Sequence, residues 1–505
     1  MTNHVVAYSR ENGGRVLLLF LLFFLAMYQL VTAGFTAFSI ICILPLIVLF
    51  GYCTFKYRMF AFWVLIVINY FIQMKGFPIS IPISLPNEML QILLLSIAII
   101  DARQTPHFER CVNIMLLALI VWCTFCTLEI LNDTCGLGIN IAAWYTGARL
   151  LAFQLLYIFL VFSIYISSPD ILMKYLKLWA FLSLFSAIWT WKQQNLGLTP
   201  AESSFLYGRG RATHIIQGGT LIRYFSTFSD AANYGCNAAA AAIAFLIFGI
   251  TTKIKKYKWY FIIVALLVTK SMFASGTRTA IFCMIGGFAV YIVLSKSFKI
   301  AIPALLIGSV LLFILAFTKI GHGNQQIRRM RSAFDKSDAS SKTRDINQET
   351  MRKYMKDAPW GIGIGMMSNN VPANNKYNLM ASIPTDSEYV FIWLRTGKIG
   401  ITTFILTMLM MLGGACYVVM FRLKNPTLIG IGGGLCSAFV AIQLGGYANQ
   451  VLMQFPNCLT FYGGLSIVYI LPYLEPAWNE YEKKQLAIQE EKKRLKLEKK
   501  LASRV

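Results

Sequence analysis

Apolar runs of about 17–25 residues recur along this chain, and each is long enough to cross about 30 Å of hydrocarbon as a helix. About fourteen are present, at roughly 15–33, 36–54, 58–75, 85–101, 111–131, 142–167, 171–192, 231–251, 258–274, 279–296, 299–318, 398–421, 428–447 and 458–474. Only 13% of the 505 residues are charged, where soluble domains carry about a quarter. The expected fold is therefore an all-α polytopic membrane protein with about 12–14 transmembrane helices. The first run is too long for a signal-peptide core and lacks a small-residue cleavage site, so it reads as a retained helix. The eleven cysteines lie mostly within predicted helices. The "CTFC" spacing (Cys123–Cys126) falls mid-helix with no histidine nearby and reads as packing rather than redox or metal chemistry.

The formal charge is +24, and its placement predicts topology, because short basic loops stay on the cytoplasmic side. With the N-terminus inside, the inside loops include "FKYR" (55–58), "DARQTPHFER" (101–110), "SPDILMK" (168–174), "TTKIKKYK" (251–258), "SKSFK" (295–299) and "FRLKNP" (421–426), each carrying Lys or Arg. The alternate loops "TAGF" (32–35), "GFPISIPISLPNE" (76–88) and "NDTCGLG" (132–138) are almost free of them. The chain is thus expected to have both termini inside. Residues 1–474 form the transmembrane domain, 319–397 a large external loop, and 475–505 a charged helical tail near anionic lipid headgroups.

Three outside segments break the charge rule. They are 193–230 with "LIRYFSTFSDAANYG", the turn "ASGTRT" that holds Arg278, and the long loop. Within that loop, "SSKTRDINQETMRKYMKDAPWGIGIG" (340–365) reads as a helix that stops at Pro359 and Gly361. Arg344, Gln348 and Arg352 recur every four residues and so are expected on one face. "GIGIG" follows a helix rather than a strand, which excludes a dinucleotide fingerprint. Arginine pairs bidentately with phosphate and keeps its proton. Arg223, Arg278 and Arg344 are therefore expected to converge on a diphosphate at headgroup level, with Arg352 beside them; snorkelling to phospholipid headgroups is the alternative for each alone.

Asp386 and Glu388, in "IPTDSEYVFIWLRTGKIG" (383–400), precede the next helix. One of them is a candidate general base, with an N-cap role for Asp386 as the alternative. His214 is a second candidate base or ligand contact. Arg149 falls inside an apolar run, where a charge is costly, and is expected either to pair within the bundle or to reach a lipid phosphate. The sequence contains no HExxH and no external D-x-D, so a reaction without metal or cofactor is expected.

In order, "RYFSTFSDAANYG", "SGTRTA", "TRDINQETMRKYMKDAPWGIGIG" and "TDSEYVFIWLRTGKIG" resemble the O-antigen ligase and O-antigen polymerase superfamily of bacterial inner-membrane glycan transferases. The matching positions are Arg223, Phe228 and Asn233; Arg278; and Arg344 with Pro359, Gly361, Gly363 and Gly365, all within about residues 200–400. The resemblance implies a GT-C-like fold with a partly helical periplasmic loop. It also implies metal-independent transfer of a glycan from undecaprenyl diphosphate to an acceptor on the periplasmic face. In that picture the arginines hold the leaving diphosphate, and Arg149, Asn233, Gly363, Gly365 and Tyr389 line the substrate groove. The partners would be the lipid-linked glycan, membrane lipids and, as a further candidate, a polysaccharide chain-length regulator, with no nucleic acid. Ligases of this type carry a histidine followed by Asn where this chain has Asp386 and Ser387. That difference favours a polymerase of surface-polysaccharide repeat units over a ligase to lipid A core or a protein oligosaccharyltransferase. From another class, an exporter of the same lipid would also need external arginines, but would be expected to show internal repeats.

Overall fold

The computed structural model describes residues 13–76, 84–101, 108–216, 221–295, 325–331 and 339–502, with scattered positions between 302 and 323. The chain divides into two compact units, Met1–Val64 and Leu65–Val505. In the first, the two expected runs at 15–33 and 36–54 form one helical stretch, α1 (Gly13–Lys56), broken at Gly34, whose φ of 80° and ψ of −177° are not helical. The expected run at 299–318 lies largely outside the described residues.

From α1 the chain continues through α2 (Phe60–Phe71), α3 (Ser84–Ile100), α4 (Ile114–Leu128) and α5 (Ile141–Ala148). A π-helical turn at Arg149–Phe153 joins α5 to α6 (Gln154–Tyr165). Next come α7 (Pro169–Asn195), α8 (Pro200–Tyr207), α9 (Arg211–His214) and an antiparallel ribbon of β1 (Ile215–Ile216) with β2 (Leu221–Ile222). The helices α10 (Ala231–Thr251), α11 (Lys255–Ala274) and α12 (Thr279–Leu294) follow. The long loop contributes α13 (Gln325–Arg331), α14 (Ala339–Tyr354) and α15 (Asn378–Ser382), before α16 (Glu388–Tyr417), α17 (Pro426–Ala448) and α18 (Gly463–Ala502). Among the described residues, nine helical stretches are long and apolar enough to cross a membrane, and α2, α3 and α12 are shorter apolar helices. The protein is an all-α polytopic membrane protein, as its apolar periodicity requires.

Capping chemistry sets where these helices begin. Ser168 accepts from the Ile171 N–H with Pro169 at the first turn, Thr199 and Glu202 form a capping box, and Asn425 accepts from Thr427 and Leu428. The centre of the second unit is α10, whose run Ala238–Ala242 is buried and which packs on α11, α12 and α17. Lipid removes the hydrophobic drive between helices, so close approach of small residues carries the packing. A side chain at Gly434 on α17 would run into Phe248 of α10.

The ends of this unit segregate by charge. One end gathers the basic segments: Lys253 pairs with Glu482 at 3.4 Å, Glu482 also accepts from Thr427 at 2.6 Å, and Arg110 donates to the Ser167 carbonyl at 3.4 Å. The tail is the direct continuation of the last span within α18. The opposite end gathers residues 73–75, 193–216, 221–230, 275–278, 385–388 and 449–457, which hydrogen-bond to one another as described below.

The long loop has its own small core of Met351, Met355, Ile362, Met380 and Leu394, closed by Cys135 from the loop before α5. The "GIGIG" segment runs beside a break in α16, with Ile362 N–H on the Leu394 carbonyl and Gly363 N–H on the Arg395 carbonyl, both at 3.0 Å. The break is Gly397, at φ 67°, and a Cβ there would overlap the Pro359 carbonyl. Gly397→Ala should therefore lower the melting temperature of the purified, detergent-solubilised protein. The left-handed backbone alone costs an L residue roughly 1–2 kcal/mol. A melting curve matching the parent's would mean that this seam does not contribute to stability.

Candidate active site

The turn between α11 and α12 is Ser275–Gly276–Thr277–Arg278. Gly276 takes the left-handed conformation at φ 58°, and the Arg223 Cγ lies 3.1 Å from where a Cβ would stand. Arg223 clasps this turn. Its Nε donates to the Ser275 carbonyl at 3.1 Å, one Nη to the Thr213 carbonyl at 2.9 Å and the other to Thr277 Oγ1 at 3.1 Å. Thr277 Oγ1 in turn donates to the Ala231 carbonyl at 2.7 Å, which docks the turn on the start of α10. Arg223 thereby commits three of a guanidinium's five N–H donors to the protein. Arg278, half-buried, occupies the N-cap position of α12 with helical φ and ψ of −59° and −40°. The Arg223 guanidinium thus lies against the turn that ends in Arg278, at the positive end of a 16-residue helix. Such a concentration of positive potential is stabilised by an anion.

His214 lies under this turn, buried, and its Nε2 accepts from the Ala231 N–H at 3.1 Å. Its Nδ1 faces the Gly210 carbonyl at 3.0 Å and Thr213 Oγ1 at 2.8 Å, which places the proton on Nδ1. Burial, reinforced by the Arg223 charge, pushes its pKa down from 6.5 to about 4. The candidate base is corrected here: the lone pair that would take a substrate proton is occupied by a helix N–H.

The two carboxylates before α16 also separate. Ser387, not Asp386, is the N-cap, accepting from the Val390 N–H at 3.4 Å. Asp386 precedes it in the left-handed region at φ 40°, exposed. Glu388 is buried, and its carboxylate accepts the Leu452 N–H at 3.0 Å and faces the neighbouring amides of Val451 and Met453. Glu388 anchors the connector between α17 and α18, and only Asp386 faces the surface. The same connector links Asp386 to the arginines. Asn449 Nδ2 donates to Thr279 Oγ1 at 3.1 Å, next to Arg278, and Gln450 Nε2 donates to Thr385 Oγ1, next to Asp386. Asn449 and Gln450 are adjacent in the chain, so their Cα atoms stand about 3.8 Å apart.

The loop helix completes one side. A cleft of about 150 Å³ is lined by Asp345 and Gln348 of α14, Thr385 and Asp386, and Tyr447 at the end of α17. Arg344 sits one turn before Gln348 on α14, but its side chain lies outside the described residues. Arg352 is exposed and is not among the residues lining the cleft. Arg352 stands one further turn, about 6 Å, along α14 from Gln348, beyond the end of the cleft.

The remaining groove candidates have other roles. Asn233 is fully buried: Nδ2 donates to Gln454 Oε1 at 2.9 Å and the Phe455 carbonyl at 3.0 Å, and Oδ1 accepts from Asn457 at 2.6 Å. Gly363 and Gly365 are buried, and a Cβ on Gly365 would overlap the Ala143 carbonyl of α5, so they form a packing seam rather than a groove wall. Tyr389, half-buried, donates to Gln443 Oε1 at 2.9 Å. Arg149 pairs with Glu88 at 3.2 Å and donates to Ser84 at 3.0 Å, so it is held inside the bundle. That pairing offsets an intramembrane charge that costs about 2.5–3.5 kcal/mol or more.

Residues 263–405 match the family model described as O-antigen ligase. The match supports the O-antigen ligase and polymerase superfamily. No curated protein matches the chain. The matched segment takes in the Arg278 turn, the long loop and Asp386, and it supports a membrane enzyme of O-antigen ligase or polymerase type acting on a lipid-linked glycan.

Two parts of this candidate site escaped the sequence reading. The connector "ANQVLMQFPN" (448–457) bears Asn449, Gln450, Gln454 and Asn457, and its signal was a cluster of amides between two apolar runs. Lys75, after α2, donates to the Ser229 carbonyl at 2.7 Å and lies 3.8 Å from the centre of the Phe205 ring; a single lysine after an apolar run carries no signal of that kind.

His214 supplies a test of its structural role. Its folded pKa lies below the unfolded value, so between about 4 and 6.5 the unfolded chain binds the extra proton. Stability attributable to His214 should be complete above pH 6.5 and fall as pH drops toward 4. His214→Gln should flatten that part of the curve, and an unchanged curve would contradict the buried neutral imidazole. For the connector, Gln450→Ala should lower turnover several-fold with little change in donor KM. Gln450→Glu, which can keep the contact only by accepting from the Thr385 hydroxyl in place of donating to it, should restore part of it. Equal losses in both variants would remove the bridge from the site.

Proposed function

We propose that the chain polymerises undecaprenyl-diphosphate-linked oligosaccharide repeat units into a surface polysaccharide at the periplasmic face of the bacterial inner membrane, with both termini cytoplasmic. The observation that carries this reading is the meeting of Arg223, Arg278 and the α12 N-terminus in one turn, joined to Asp386 through Asn449 and Gln450.

In the reaction, Asp386 accepts the proton of an acceptor hydroxyl as that oxygen forms a bond to the anomeric carbon of the donor. The bond from that carbon to the diphosphate oxygen breaks, and the diphosphate leaves with the electron pair. Arg278 and the helix N-terminus stabilise the charge that develops on the leaving group, while Arg223 holds the turn in place. Arg344, one turn before Gln348 on α14, is assigned the third contact of this clamp. Glu388 and His214 support the backbone and do not touch the proton.

The description of the matching family model favours a second reading, transfer of a finished glycan to lipid A core by a ligase. A gel of surface glycans from a deletion strain separates the two: single repeat units on the core mean a polymerase, and an accumulating lipid-linked polymer means a ligase. An unglycosylated protein would instead mean a protein transferase.

Arg278→Lys keeps the charge but loses the bidentate fork. It should lower transfer by roughly 10²–10³-fold, the scale of one lost transition-state donor, at unchanged protein level. Asp386→Asn should cost roughly 10²–10⁴-fold, the scale of a general base. Wild-type chain lengths in either variant would overturn the role given to that residue.

A further inference from the structure

The cleft beside Asp386 has a chemistry of its own. Its volume of about 150 Å³ is well below the roughly 300–1,000 Å³ that holds a drug-sized ligand, so it suits a single ring. Three elements build it: Asp345, Asn347 and Gln348 from α14, Thr385 and Asp386 before α16, and Tyr447 at the end of α17. The described lining contains two carboxylates, two side-chain amides, the hydroxyls of Thr385 and Ser387, one aromatic ring and a few apolar side chains, and no basic side chain.

That lining selects a ligand class. Carboxylates accept hydrogen bonds from hydroxyls, and amides both donate and accept. An anion would meet two like charges, and a lipid tail would strip water from both carboxylates without pairing them. Tyr447 is 77% exposed and offers a flat apolar face beside the polar groups, which matches the C–H face of a sugar ring. We propose that this cleft is a subsite for one neutral sugar of the acceptor, with Tyr447 as its stacking platform and Asp345, Asn347 and Gln348 as its specificity-determining hydrogen-bond partners. The proposal rests on the glycan-transfer reading above and adds where the acceptor sits and what recognises it. The geometry gives the division of labour: the anion is drawn to Arg278, the neutral ring to the loop-helix cleft, and Asp386 borders the cleft at the point where the Gln450 bridge leads back to the arginines.

The test uses the full-length protein in lipid nanodiscs and two probes. One is the lipid-linked oligosaccharide extracted from cells lacking the protein, and the other is the same oligosaccharide released from its diphosphate by mild acid. Calorimetric titration should show that Tyr447→Ala weakens binding of the released sugar about tenfold, equivalent to about 1.4 kcal/mol. Tyr447→Phe, which keeps the ring face, should bind it like the parent. Arg278→Lys should leave binding of the released sugar unchanged while weakening that of the lipid-linked probe. The proposal is overturned if the parent does not bind the released sugar, if Tyr447→Ala binds it normally, or if the Phe variant loses as much as the Ala variant. It is also overturned if Tyr447→Ala weakens both probes equally, which would make the residue an anchor at the membrane surface. Normal polymer in the Arg278→Lys and Asp386→Asn strains, alongside Tyr447-dependent sugar binding, would instead sink the transfer reading and leave the sugar site standing.

Discussion

The hydrogen bonds of the connector 449–457 hold together the helix ends that carry the arginines and Asp386. Asn457 donates to Asn233 at 2.6 Å and to the Val451 carbonyl at 2.9 Å, and accepts from Asn237 at 2.7 Å. Gln454 accepts from Asn233 and from Ser229, while Glu388 receives the backbone of 451–453. In a low-dielectric interior, each of these groups would cost a few kcal/mol if left unpaired. A network in which the partners satisfy one another therefore admits few alternative arrangements. The starts of α10, α12 and α16 are thereby fixed relative to one another by side chains that never touch substrate.

That constraint explains how so much positive charge can stand in one place. The Arg223 guanidinium is fastened beside the positive end of α12, where Arg278 is the N-cap residue. Folding holds it there because Arg223 is fastened by three hydrogen bonds and Thr277 is docked on α10. The neutral, buried His214 belongs to the same logic: a charged imidazole beside Arg223 would add a further repulsion, and the ring instead caps α10 through the Ala231 N–H. The loop core of Met351, Met355 and Ile362 then brings α14 against the connector side and closes a small polar cleft around Asp386.

Several features could be read from residues alone because local rules govern them. Arg278 follows a Ser-Gly-Thr turn between two apolar runs, so it had to lie at a helix end. The loop helix over Ala339–Tyr354, halted before Pro359, follows from propensity and proline geometry. Other roles were not readable because they depend on which partner arrives from far along the chain. Asp386 looks like an N-cap until the backbone shows Ser387 in that position. Glu388 and Asp386 look like interchangeable bases until residues 451–453 claim one of them. Asn233 has the spacing of a groove residue, yet Asn457, 224 positions away, takes its carbonyl oxygen.

By itself the sequence determined that this is an all-α chain threaded through a bilayer, with basic loops alternating against neutral ones. Hydrophobic run length and charge act locally, and lipid punishes every alternative. It also showed Arg223, Arg278 and Arg344 on three segments between apolar runs, outside the regular alternation of basic and neutral loops. Only the tertiary structure decided that Arg223 clasps the turn, which carboxylate reaches the surface, and that a loop of amides holds them in register. Those outcomes turn on hydrogen bonds between residues separated by as many as 225 positions, whose distances exist only once the helices have packed.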